Sequence, residues 1–196
     1  MSYSGRRLRA DPFTDLLFNI LLSFTLLMFL AIIFMNPIPK TGVINPKAEY
    51  IITVSWKDNN PDDVDTYVQS PTGDLVWFRG KEAGFVHLDR DDRGLLNDTI
   101  EINGEKVQNP LNQEVVTIRA VVPGEYIVNI HYYATKTEQP VDVNVKVEKV
   151  NPKLEVIYYG TIKLEKKGVE KTATRFNITQ DGFVSISGNL FKKLVP

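Results

Sequence analysis

The residues best placed for chemistry form a polar stripe within an apolar segment near the N-terminus. Asp15, Asn19 and Ser23 recur every four residues, so a helix would place them on one face. A carboxylate at the edge of a low-dielectric region has its charged form disfavoured, so it can take up and release a proton. Asp15 is therefore a candidate for proton translocation, with Thr14, Asn19 and Ser23 as candidate supporting residues. Alternatively, Asp15 lies in the headgroup layer, and Asn19 and Ser23 pack against another helix.

The segment that carries this stripe is long enough to cross a membrane. Residues 16–35 contain no charge, and twenty residues of helix span about 30 Å at 1.5 Å per residue. This run exceeds the apolar core of a signal peptide, and no small-residue cleavage site closes it before Asn36-Pro37. We therefore expect an uncleaved transmembrane helix over residues 12–36.

Basic residues predict the orientation of this helix. Arg6, Arg7 and Arg9 precede the span, whereas the residues that follow it carry only Lys40 and Lys47 among prolines, glycine and asparagine. Because positive charge is retained on the cytoplasmic side, we expect a cytoplasmic tail over residues 1–11 and export of the rest.

Beyond the span, the sequence predicts a linker and then a β-domain. Residues 37–48 contain three prolines and a glycine, which interrupt both helices and strand ladders. In Val141–Val147, four valines alternate with polar residues, as in a strand with one buried face. Residues 49–56 alternate in the same way, and residues 125–133 are rich in β-branched and aromatic residues, so both are predicted to be strands. Turn signals at residues 70–74 and 122–124 separate the predicted strands. Further strands are predicted near residues 64–69, 74–79, 114–121, 154–164, 172–179 and 182–187. We expect an antiparallel β-sandwich over residues 49–196.

Residues 9–37 resemble a known family of membrane helices. The stretch DPFTDLLFN from Asp11 to Asn19, with the apolar run that follows it, resembles the small stator subunits of proton-driven motors, including ExbD, TolR and, more distantly, MotB. In ExbD-like and TolR-like members a proline precedes an essential aspartate by three positions, as Pro12 precedes Asp15. The resemblance implies that Asp15 accepts protons, and that the chain is a homodimer inside a ring, usually a pentamer, of an ExbB-, TolQ- or MotA-like multi-helix subunit. It also implies a bacterial inner membrane with a periplasmic C-terminal domain.

The exported domain resembles a second family over residues 50–150. The segments 63–68, 70–73, 88–92 and 123–133 resemble, in that order, the exported bacterial β-sandwich domains of the YfaP group. This resemblance implies a fold and an exported location, and little about chemistry.

Two acidic runs within this domain are candidates for binding calcium through carboxylate oxygens. Neither fits an EF-hand loop, and the alternative is a set of solvated turn acids paired with Arg90 and Arg93. The candidate ligands are Asp63, Asp65, Asp89 and Asp91.

Composition argues against several other classes of function. The formal net charge is -1, so no broad basic surface is expected to bind nucleic acid. There is no cysteine, and His87 and His131 do not form a metalloprotease motif. We therefore predict a protein that is not an enzyme and that has no cofactor. Protons are the expected coupling ion, because Asp15 is a carboxylate with few additional oxygen ligands nearby, and sodium is the alternative. Two functions remain: a motor subunit whose β-domain contacts a periplasmic or envelope target, or a β-sandwich binding or adhesion module on an inert helix.

Overall fold

The computed structural model describes residues 11–35, 48–94 and 99–196. The chain divides into two compact units, Met1–Ile44 and Asn45–Pro196. The predicted cytoplasmic tail lies outside the described residues except for Asp11, and the predicted linker lies outside them except for Ala48.

The described part of the first unit, residues 11–35, contains the helix α1 (Pro12–Met35). Asp11 caps its N-terminus, since its carboxylate accepts the backbone N–H of Phe13 at 3.1 Å and the hydroxyl of Thr14 at 3.0 Å. Proline suits the first helical position because its fixed φ is already helical and no N–H is lost there. In the part of the chain that the structure describes, only this helix is long and apolar enough to cross a membrane. The helix lies within residues 12–36, the segment for which a transmembrane helix is expected.

The second unit is built from strands. Within the described residues these are β1 (Tyr50–Trp56), β2 (Asp63–Gln69), β3 (Leu75–Val76), β4 (Glu82–Ala83), β5 (Val86–Arg90), β6 (Thr99–Ile102), β7 (Glu105–Gln108), β8 (Asn112–Ile118), β9 (Gly124–Ala134), β10 (Val141–Lys149), β11 (Glu155–Leu164), β12 (Glu170–Ile178) and β13 (Val184–Gly188). They form a six-stranded sheet in the order β11-β10-β1-β8-β5-β4, a five-stranded sheet in the order β13-β12-β9-β2-β3, and the hairpin β6-β7.

Both large sheets are antiparallel, and their inner faces contribute side chains to one core. The four valines of β10 are buried, and the residues between them are more exposed, as the alternation predicts. On β1, Tyr50, Ile52, Val54 and Trp56 are buried in the same way. The predicted fold class, an N-terminal apolar helix followed by an antiparallel β-sandwich, is confirmed.

The two predicted turns lie against each other. Gly124 has φ +132°, and a Cβ atom there would lie 2.6 Å from Cβ of Pro71, so only glycine fits this position. Just beyond the turn, the Tyr126 hydroxyl donates to the carbonyl of Val122 at 3.0 Å, and this bond closes the corner.

The structure adds strands that the sequence patterns did not predict. β5 has only five residues and β4 only two, which is too short for a clear alternation. In the β6-β7 hairpin, the side chains of β7 are all exposed, so β7 has no buried face to produce a hydrophobic pattern. The strand predicted at 74–79 is reduced to β3, because Trp77 and Gly80 form a tight bridge directly after it.

Candidate functional site

The predicted proton site lies in the first turn of α1. Asp15 is the acidic residue of that turn, and Asn19 and Ser23 follow it on the same face. The side chains of residues 11–32 are all exposed along this single helix. The hydroxyl of Thr14 donates to Asp11, so Thr14 belongs to the N-terminal cap. Asp11 itself precedes Asp15 by four residues and extends the stripe to the helix terminus.

The β-domain contains a second candidate site, which we call the acidic cluster: Asp65, Asp91 and Glu114. One carboxylate oxygen from each residue lies within 4.8 Å of the other two. Asp65 and Glu114 are 3% and 1% exposed, and the Asp91 side chain is 5% exposed. Three acids therefore meet in the interior, where like charges repel strongly unless a proton or a cation intervenes.

A β-bulge brings Asp91 to Glu114. Along the β5-β8 pair, Leu88 lies opposite Val116, but Arg90 lies opposite Val115, so Asp89 is the extra residue. When this shifted pairing is extended by one residue on each strand, Asp91 lies opposite Glu114. Without the bulge, Asp91 would point to the opposite face of the sheet.

Glu114 also connects the two sheets. Its Oε2 accepts the backbone N–H of Thr66 at 2.6 Å. This N–H is free because β3 pairs only with Val68 and Gln69 of β2, so the earlier part of β2 has β9 on one side only. Thr66 is next to Asp65, and the bond therefore fixes the position of Asp65 relative to Glu114.

Burial controls the protonation of this cluster. It raises the pKa of Glu114 well above its usual value, an effect that the hydrogen bonds from Thr66 oppose. Burial and then the negative charge of Asp63 raise the pKa of Asp65 to about 8. Asp63 itself has its pKa raised to about 6, first by burial and then by the charge of Asp91. Burial therefore favours the protonated forms of Asp65 and Glu114.

Two basic residues contact the outer side of the cluster. Lys81 Nζ lies 2.9 Å from Asp91 Oδ2, and the Lys81 side chain is 49% exposed. Arg93 lies 3.8 Å from the same oxygen. Lys81 therefore forms a partly solvated cover over Asp91, whereas the deeper acids Asp65 and Glu114 form no ion pair in the described residues.

The other acids of the two runs have separate roles. Asp89, predicted as a calcium ligand, instead accepts Thr117 Oγ1 at 2.6 Å and pairs with Arg119 at 2.7 Å. Asp92 pairs with Arg90 at 2.9 Å. Among the four predicted ligands, Asp65 and Asp91 are in the acidic cluster, Asp63 is electrostatically coupled to it, and Asp89 is outside it.

Asp62 is a structural hub rather than a ligand. Its carboxylate accepts five hydrogen bonds. Three come from hydroxyl groups, those of Tyr132 at 2.7 Å, of Thr135 at 3.0 Å and of Thr137. The other two come from the backbone N–H of Lys136 at 2.6 Å and the backbone N–H of Thr137 at 3.0 Å. Burial alone would raise the pKa of Asp62, but these bonds lower it to about 2. Asp62 thereby holds the loop after β9.

Glu114 was missed by sequence reasoning, although a signal for it exists. Asn112, Glu114, Val116 and Ile118 share the inward face of β8. An acid two residues before the inward-facing Val116 and Ile118 indicates a buried polar contact, because an unpaired carboxylate there is costly.

Comparison with known proteins does not assign the chain to a family. No family model matches it, and no curated protein does. Two solved structures are similar to it, each at 13% identity and covering 72% of this chain and 88% of the other. One is the crystal structure of SAV2460, a protein of unknown function, with a TM-score of 0.48. The other is SCO6318 from Streptomyces coelicolor A3(2), a homologue of the telluride resistance protein TerD, with a TM-score of 0.46. Similarity at this level carries no argument about function.

Proposed function

We propose that this protein is the small subunit of a proton-driven motor in a bacterial inner membrane, and that Asp15 relays the protons. The observation that carries the proposal is the stripe of Asp15, Asn19 and Ser23 on one face of an otherwise apolar helix. The Pro12-x-x-Asp15 spacing, which resembles that of ExbD and TolR, gives this stripe a specific role.

The stripe requires a protein neighbour in the membrane. A single helix in lipid exposes every face to hydrocarbon, and an aspartate near the centre of a span costs roughly 2.5–3.5 kcal/mol on insertion scales. The cost is smaller near the end of the span, where Asp15 lies, but Asn19 and Ser23 lie one and two turns deeper. A second copy of the helix, within a ring of multi-helix subunits, would cover this face and supply polar partners.

In this complex, Asp15 takes up a proton from the periplasmic side and releases it to the cytoplasm. Protonation removes a negative charge within a low-dielectric contact, which changes its interaction with the ring by several kcal/mol. The membrane potential contributes about 2.3 kcal/mol per proton per 100 mV. One transferred proton therefore supplies energy on the same scale as the change in this contact, which would drive motion of the ring against the central helix. The periplasmic β-domain then transmits or anchors the motion at an envelope target.

The test combines co-purification with a proton-flux assay on the purified complex in liposomes. We expect a multi-helix membrane protein to co-purify with the wild type. Asp15→Asn should keep this assembly, because the amide has the same shape, and should reduce proton flux at least about a hundredfold, the lower range for loss of a positioned proton-transfer group.

Asp11→Asn is the matched control. It removes a carboxylate one turn away on the same face, while asparagine still caps the helix. Flux close to that of the wild type in this variant, together with loss of flux in Asp15→Asn, assigns the proton to Asp15. Equal loss in both variants, or none in either, would contradict the proposal.

A membrane-anchored binding or adhesion module on an inert helix is the second candidate. Apolar side chains on the edge strands β11 and β13 favour it, since Val156, Tyr159 and Ile186 are 55%, 64% and 46% exposed. This function predicts a protein that purifies without a ring subunit and that is unaffected by Asp15→Asn.

A further inference from the structure

We propose that the acidic cluster of Asp65, Asp91 and Glu114 is a binding site for a divalent cation, and that Ca²⁺ is the ion that fits it. The site lies in the β-domain and does not depend on Asp15 or on the motor function.

The spacing of the oxygens suits calcium. The three cluster oxygens lie within 4.8 Å of one another, close enough for one cation to contact all three. Ca²⁺ binds carboxylate oxygens at 2.3–2.6 Å in flexible geometry, whereas Mg²⁺ demands near-ideal octahedral geometry at 2.0–2.1 Å and keeps several waters. Three carboxylates supplied by separate strands therefore suit Ca²⁺ better than Mg²⁺.

The interior of the cluster contains acceptors without donors. In the described part of the chain, Oε1 of Glu114 and Oδ2 of Asp65 have no hydrogen-bond partner, although both residues are almost fully buried. Oδ1 of Asp63 is buried without a partner as well. Buried acceptors are nearly always paired, and each unpaired one requires an explanation. A cation between Asp65 and Glu114 would satisfy both oxygens at once.

The charges around the cluster leave room for one divalent ion. When ionised, Asp63, Asp65, Asp91 and Glu114 supply four negative charges. Lys81 and Arg93 supply two positive charges at Asp91. Four minus two leaves two negative charges uncompensated, which a single divalent cation balances.

Lys81 is the competitor for the cation at the outer edge. Its ammonium lies 2.9 Å from Asp91 Oδ2 on a side chain that is half exposed, so it can swing into solvent. This ammonium repels a cation that binds Asp91, although its charge still contributes to the balance of the cluster. Replacement of Lys81 by an uncharged residue should therefore strengthen cation binding.

The test is calorimetric titration of the full chain in detergent with CaCl₂, after removal of metal with EGTA. We expect one saturable site, with Mg²⁺ a weaker competitor. Glu114→Gln and Asp91→Asn should each weaken Ca²⁺ binding at least about tenfold, the lower range for loss of a group that supports a metal site.

Three controls keep the result interpretable. Asp142→Asn changes an exposed acid on β10 and should bind Ca²⁺ like the wild type. Thermal unfolding in EGTA reports whether each variant is folded, and removal of a buried carboxylate by Glu114→Gln should not lower the midpoint. Lys81→Met should bind Ca²⁺ several-fold more tightly than the wild type.

The proposal is overturned if the wild type shows no saturable binding, or if folded Glu114→Gln and Asp91→Asn bind like the wild type. Lys81→Met with unchanged or weaker affinity would contradict a cation at Asp91.

Discussion

The backbone N–H of Thr66 donates to Glu114 Oε2 over 2.6 Å, and this bond joins the two sheets of the β-domain across 48 positions of sequence. Glu114 thus occupies the place of a missing neighbour strand beside β2. The same carboxylate has its second oxygen unpaired in the interior. One side chain therefore completes the edge of a sheet and leaves an acceptor for a ligand.

The stabilising role of Glu114 is testable by comparing two substitutions. Glu114→Gln keeps an oxygen that can accept the Thr66 N–H, so we expect the free energy of unfolding to stay within about 1 kcal/mol of the wild type. Glu114→Ala leaves this buried N–H unpaired and opens a cavity. We expect this variant to lower the free energy of unfolding by about 2–3 kcal/mol. Denaturant unfolding in EGTA, followed by the fluorescence of buried Trp56, measures both. Equal loss in the two variants would mean that charge, not the hydrogen bond, is what Glu114 contributes.

The acidic cluster should also give stability an unusual pH dependence. The pKa of Asp65 is about 8 and that of Asp63 about 6 in the folded protein, against 3.8 as the ordinary value. The folded state therefore binds more protons than the unfolded state in this range. We expect the free energy of unfolding in EGTA to decrease as the pH rises from about 4 to about 8.

The pH dependence due to Asp65 has to be distinguished from that of other charged and titratable groups around the cluster. Glu114, Lys81, Asp91 and Arg93 face the same region, and burial lowers the pKa of His131, which acts in the opposite direction near pH 6. Asp65→Asn isolates the contribution of Asp65, because it removes this one titration. The decrease in stability between pH 4 and 8 should be clearly smaller in this variant, and an identical pH profile would rule out the high pKa of Asp65.

Asp62 should behave in the opposite way to Asp65. Its hydrogen bonds lower its pKa to about 2, so its contribution is complete above about pH 4 and is lost as the pH falls through 2. We expect Asp62→Ala to cost about 3 kcal/mol at pH 7, because several donors in the loop after β9 lose their acceptor. The cost should shrink toward pH 2.

Asp58→Ala is the matched comparison for Asp62→Ala. Asp58 is an exposed acid in the loop that precedes Asp62, so its loss should change the free energy of unfolding by less than about 0.5 kcal/mol. Hydrogen exchange at Lys136 and Thr137 should accelerate in Asp62→Ala only. Unchanged exchange there would show that Asp62 does not hold this loop.

Local periodicity predicted much of the fold. The uncharged run of residues 16–35 specifies an apolar helix, since its length and composition alone match a bilayer. The alternation in Val141–Val147 specifies a strand with one buried face, because successive side chains of a strand point to opposite sides. The polar stripe from Asp15 to Ser23 was likewise predictable from local sequence, because residues four positions apart lie on one face of a single helix.

The acidic cluster could not be predicted in this way. By position in the sequence, the acids form two separate runs, and Asp89 is grouped with Asp91. In the structure, the bulge at Asp89 places these two side chains in different surroundings. Glu114 was not considered, since nothing local relates it to Asp65.

The sequence by itself determined the elements of this protein, the apolar helix with its stripe at Asp15 and the alternating strands, because those patterns arise from the geometry of single segments. Only the tertiary structure decided which acids meet. The meeting of Asp65, Asp91 and Glu114 depends on a one-residue bulge in β5, on the short reach of β3 and on the packing of two sheets. These are properties of register and of long-range contact, which no local period encodes.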